Sequence, residues 1–140
     1  MENQKITGRA EKMAAAAQTA YIGSLGSDGY PYVKGMEIRG RKGLAFYFST
    51  ASTTLRVEQY NNNGAASLYI HRGFKGVMLL GRMDVVDDAE SRRVVWREGD
   101  EFYYPKGFDD PMFKVLRFTP QRGRLNDSKG VHDFVIGKTE

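Results

Sequence analysis

Apolar and polar side chains alternate with a period of two over most of this chain, and helical spacing is confined to three short stretches. Residues 5–17 read as the first helix, with Ile6, Met13 and several alanines as its apolar part. Strand-like runs follow over Ala20–Leu25 and Tyr32–Ile38, split by the turn residues Gly26-Ser27-Asp28-Gly29. In the second run Tyr32, Lys34, Met36 and Ile38 share one face. Arg39–Gly43 reads as a turn, and Leu44–Thr50 as a strand with Leu44, Phe46, Phe48 and Thr50 on one side. A helix over Ser52–Tyr60 is expected to close at Asn61-Asn62-Asn63-Gly64.

The second half repeats the theme. Ala65–His71 and Val77–Val86 read as strands around an Arg72–Gly76 turn, with a bend at Gly81. Asp87-Asp88-Ala89-Glu90 resembles a capping box opening a helix to about Glu98. An aromatic loop over Phe102–Pro111, with a helical turn near Asp110, leads into strands over Lys114–Leu125 and Val131–Ile136. Hairpin-joined strands with few helices predict a mainly β domain with peripheral helices, a small antiparallel barrel. A sandwich is the alternative.

The 140 residues suit one domain over 1–140, with the helix at 5–17 and the barrel at 19–136. No apolar run approaches the roughly 20 residues of a membrane span. Met1–Gln4 lack the features of a signal peptide, so a cytoplasmic location with no membrane partner is expected. The absence of cysteine removes disulfides and thiolate chemistry, and with two histidines no metal site is expected. Charge is uneven: residues 1–86 carry a net +5 and residues 87–140 a net −1. The first part can offer an anion site, but it lacks the dense basic stripe of a nucleic-acid binder, so no nucleic-acid partner is expected.

The junction Phe48–Val57 holds the densest chemistry. Ser49, Thr50, Ser52, Thr53, Thr54 and Arg56 put five hydroxyls and one guanidinium within eight positions, where a strand hands over to a helix. A helix start offers unpaired N–H groups and partial positive charge, a setting that suits a phosphate. Ordinary capping by Ser and Thr is the competing reading. Lys34, on an otherwise apolar strand face, either reaches to a barrel rim or faces an anion across the barrel.

Four segments, taken in order, carry a family resemblance: "SLGSDGYPYVKGM", "LAFYFSTASTTLRVEQYNNNGAASLYI", "VMLLGRMDVVDDAESRRVVW" and "YYPKGFDDPMFKVLRFTP". Over roughly residues 10–136 the chain resembles the flavin-binding split-barrel proteins of the pyridoxamine 5'-phosphate oxidase-like superfamily, within it the general stress protein group. The resemblance implies a split β-barrel with Greek-key character, non-covalent binding of flavin mononucleotide (FMN), and a homodimer with flavin sites at the interface. It places Lys34, Gly35 and Met36 beside the flavin ring. Ser49 and Thr50 would meet the tail or ring. Thr54 and Arg56 would hold the phosphate, with Thr53 nearby.

On this reading the protein is an FMN-dependent oxidoreductase of the flavin-reductase kind, acting on a small molecule, with no side chain assigned as catalytic. Leu55 stands where the oxidases carry a basic residue, and Gly76 about where they place a ring-contacting Gln. The chain is also too short for the segment by which the oxidases hold pyridoxamine phosphate, so that activity is not expected. The alternatives are a nitroimidazole-type nitroreductase, or a flavin or haem binder without turnover, with His71 as axial ligand in the haem case. Trp96 reads as core or dimer interface, and Tyr103 and Tyr104 as loop packing or a stacking surface.

Overall fold

The computed structural model describes residues 2–136, so positions 1 and 137–140 of the expected domain lie outside the described residues. An N-terminal helix, α1 (Glu2–Ala16), precedes a single all-antiparallel sheet of eight strands. These are β1 (Thr19–Leu25), β2 (Pro31–Glu37), β3 (Gly40–Lys42), β4 (Ala45–Ala51), β5 (Ala65–Arg72), β6 (Lys75–Val86), β7 (Phe113–Asp127) and β8 (Gly130–Val135). Helix α2 (Leu55–Asn62) links β4 to β5, and α3 (Ala89–Val95) with two short 3₁₀ turns links β6 to β7.

The strand order is β2-β1-β5-β6-β7-β4-β3, with β8 also on β7. The long β7 pairs with β4 through Phe113–Phe118 and with β8 through Arg122–Asp127. The register against β6 shifts between Leu80 and Gly81, where Gly81 meets Pro120. A Cβ on Gly81 would sit 2.1 Å from the Thr119 carbonyl oxygen, so only glycine fits that irregularity. Proline is tolerated there because a bulge asks for no ladder N–H at every residue. The sheet curls into a mainly β fold that resembles a split barrel, with helices at its periphery.

Alternation sets the inner face. One cross-strand row runs Lys34, Ile22, Leu68, Leu79, Gly123, Phe134. Its apolar members are buried, and Lys34 ends the row on an edge strand that is mostly exposed. Ile6, Ala10 and Ala14, spaced by four, lay one stripe of α1 on this core. A second cluster of Val95, Phe113 and Val115 fills the other face of β4 and β7, joined by Tyr47, Trp96 and Tyr104.

Several boundaries differ from expectation. The first helix covers Glu2–Ala16 rather than 5–17. The basic Arg39–Gly43 stretch contains β3, a short strand paired with β4, and the turn falls on Gly43-Leu44. Helix α3 stops at Val95, three residues short of Glu98, because Arg39 donates to the Val95 carbonyl and Asp100 takes the Arg97 N–H. The capping signal itself holds: the Asp88 carboxylate accepts from the Ser91 N–H at 2.9 Å.

Candidate functional site

The corner between β4, α2 and β1 is built by a small polar network. Ser24 donates to the Gln59 side chain at 2.5 Å, and the Tyr60 hydroxyl donates to the Gly23 carbonyl at 2.9 Å. Ser24, Gln59 and Tyr60 are all buried, so these bonds fix α2 against the inner face of β1. Burial raises the Tyr60 pKa well above its ordinary value; a hydrogen bond with Ser24 and the charge of nearby Arg56 only partly oppose it. The hydroxyl therefore stays protonated and serves as an anchor, not as a base.

Helix α2 begins three residues later than the sequence pattern predicts. Ser52 is drawn off instead: its N–H donates to the Met112 carbonyl at 2.7 Å. Thr54 becomes the N-cap residue, with extended backbone angles, yet its side chain caps nothing. Its hydroxyl lies 3.0 Å from that of Thr50 on β4. The first N–H groups of α2 therefore have no side-chain acceptor from the cap position.

Arg56 occupies the first turn of α2. Its Nε atom is buried and has no hydrogen-bond partner. Leaving such a donor unsatisfied costs about 1–3 kcal/mol, and native proteins keep few of them. A donor of this kind beside an uncapped helix start fits an anion with several acceptor oxygens, such as a phosphate.

The predicted residues separate into three groups. Thr50 and Thr54 meet at the mouth of α2, and Arg56 stands in the first turn of that helix. Lys34, Gly35 and Met36 lie on β2; Lys34 and Met36 share the sheet face on which α2 docks, because Tyr32 is in register with Ser24 and Lys34 with Ile22. Lys34 and Gly35 are exposed and Met36 is half-buried against the core. Ser49 alternates to the opposite face of β4 from Thr50, toward the second cluster, and Thr53 is exposed in the turn. No group of three or more metal-ligating side chains is assembled among the described residues.

The outer face holds features that the sequence pattern does not reveal. Tyr21, Leu25, Val33 and Tyr69 are exposed there and line a groove of about 880 Å³. No Lys or Arg lines this groove, and His71 stands at its edge. His71 stacks against both Tyr21 and Tyr69, with centroids 5.9 and 5.8 Å away. A Cβ on Gly76 would fall 2.2 Å from the Tyr69 hydroxyl, so the missing side chain there makes room for that ring. Trp96 packs on Phe113, Phe108 and Tyr104, whereas Tyr103 is exposed beside Phe102.

Fold and corner together define a curled antiparallel sheet that resembles a split barrel, with an uncapped helix start at one corner. The chain belongs to the pyridoxamine 5'-phosphate oxidase family, whose model matches residues 6–127. It is similar to a Clostridium acetobutylicum protein related to general stress protein 26 of B. subtilis, described as of the pyridoxinephosphate oxidase family. Identity is 31%, the TM-score 0.81, and the match covers 95% of this chain and 96% of that one. General stress protein 26 of Bacillus anthracis shares 12% identity at a TM-score of 0.75, over 97% and 100% of the two chains. A heme binding protein from Mycobacterium smegmatis shares 17% at 0.76, over 93% of this chain and 57% of that one. The last two likenesses speak for the fold alone. A search of curated proteins gave no match. Among the described residues no helix is long and apolar enough to cross a membrane.

Proposed function

We propose that this protein binds FMN non-covalently and works as a flavin-dependent oxidoreductase on a small molecule. The observation that carries the reading is the buried, unpartnered Arg56 Nε at an uncapped helix start. Arg56 would pair with the phosphate, and the Thr50 and Thr54 hydroxyls would supply further donors to it. Lys34 would add positive charge near the ring or ribityl chain, with Gly35 and Met36 along the same strand. The apolar row that Lys34 ends would keep water from one side of the site. Bound FMN supplies hydride or electron transfer, and the protein supplies orientation and electrostatics.

The proposal includes a homodimer. An apolar groove with Val33 75% exposed on an edge strand is unusual for a monomer's surface, and a second copy is the occupant the family resemblance implies. The partner would then complete the flavin site.

The test is the visible absorption of the protein as purified and after added FMN and gel filtration. Retained flavin absorbance at one FMN per chain is expected. A colourless protein that retains no added FMN refutes the reading, and a Soret band lost in His71→Ala would replace it with haem binding.

A further inference from the structure

A smaller cleft, of about 450 Å³, lies between the end of α1 and the β5–β6 hairpin, away from the α2 corner. Its rim carries Arg9 and Lys12 from α1 and Arg72 and Lys75 from the hairpin. Its floor is apolar, formed by Met13 and Ala17 and backed by the fully buried Leu125. The one carboxylate in the lining, Asp127, is already engaged by Arg9 and by the Lys129 N–H at 2.9 Å. Lys12, Arg72 and Lys75 have no carboxylate within 4 Å among the described residues.

Stability alone does not account for this arrangement. Arg72 and Lys75 are directly opposite in register across the two-residue Gly73-Phe74 turn, and like charges so placed repel. The nearby C-terminus of α1 offers about half a negative charge, too little to balance three cations. The last turn of α1 also ends in alanines, so no long side chain from it fills the opening.

We propose that this cleft binds a small organic anion. Its phosphate or carboxylate head is held by Lys12, Arg72 and Lys75, and its apolar body lies on Met13 and Ala17. Head and body both contribute: three cations in one rim attract the anion, and the floor removes apolar surface from water. The site is independent of the FMN reading, since it shares no residue with the α2 corner.

Phenyl phosphate is the probe, followed by the NMR signals of the Met13 methyl and the His71 ring. Saturable shifts of Met13 are expected. Affinity should fall at least tenfold for inorganic phosphate, which lacks the body, and at least tenfold in the double variant Arg72→Gln/Lys75→Gln. Both substitutions are at exposed positions, and an unchanged circular dichroism spectrum checks the fold. The double variant should bind FMN as the parent does, which separates this outcome from the fate of the flavin reading. An unmoved Met13 methyl, or undiminished affinity in the double variant, overturns the site. Equal affinity for inorganic phosphate overturns the role of the floor.

Discussion

The hydroxyls of Thr50 and Thr54 lie 3.0 Å apart across the β4–α2 turn, so the residue at the N-cap of α2 spends its side chain on the strand instead of the helix. This choice leaves the helix mouth short of an acceptor. Thr54→Asp separates stability from binding. A carboxylate at the N-cap should stabilise the protein by about 0.5–1 kcal/mol in the absence of ligand. The same charge should weaken FMN binding at least tenfold by competing with the phosphate. Thermal denaturation and an FMN titration read the two effects, and a variant that binds FMN more tightly would contradict the assignment.

Arg92 should prove a structural centre. It is 7% exposed, pairs with Asp87, donates to the Phe108 and Phe113 carbonyls at 2.7 and 2.8 Å, and lies 5.0 Å over the Phe113 ring. Arg92→Met fills much of the volume but strands those acceptors. Asp87 is left exposed to water, so the cost is that of the stranded carbonyls, and urea denaturation should show a loss of about 1–3 kcal/mol. A loss below about 1 kcal/mol would mean that the aromatic loop holds itself.

Acid should destabilise the fold through its paired carboxylates. The Arg9 hydrogen bond holds Asp127 below its ordinary 3.8, Arg124 does the same for Asp133, and backbone N–H groups of Ser91 and Met112 do so for Asp88 and Asp110. Groups with lowered folded values stabilise the protein above their ordinary pKa and lose that contribution as pH falls through the lowered value. The urea midpoint should therefore hold steady from pH 7 to about 5 and drop below about 4. Asp127→Asn should flatten part of the drop, and an unchanged acid slope in that variant would remove Asp127 from the account.

Val33→Glu tests the dimer. Val33 is exposed on β2, in register with Gly23, so the change should leave the single chain's stability within about 0.5 kcal/mol. Sedimentation should show a dimer for the parent and a monomer for the variant. A monomeric parent would reject the proposed partner.

Local chemistry made much of this fold legible in the sequence. The Asp28-Gly29 turn, the Asp88 cap and the bend at Gly81 are each set by one or two residues, and each stands where the pattern put it. Contacts between distant segments were not legible. The start of α2 moved because Ser52 bonds Met112, sixty positions away. The end of α3 moved because Arg39 reaches Asp100 at 2.9 Å and the Val95 carbonyl at 3.1 Å. In the corner, Thr50 meets Thr54 at the start of α2, and Arg56 stands in the first turn of that helix. Strand alternation alone would have set Ser49 apart from Thr50, and it does so in the structure.

Calorimetric titration of FMN and of riboflavin into the parent and Arg56→Ala tests the phosphate grip most directly. FMN should bind the parent and lose about 1.5–3 kcal/mol in the variant, the range for a charge-assisted bond, while riboflavin binds both equally. Equal FMN affinity in the two proteins, or an equal loss for riboflavin, would contradict the claim that Arg56 holds a phosphate at the mouth of α2.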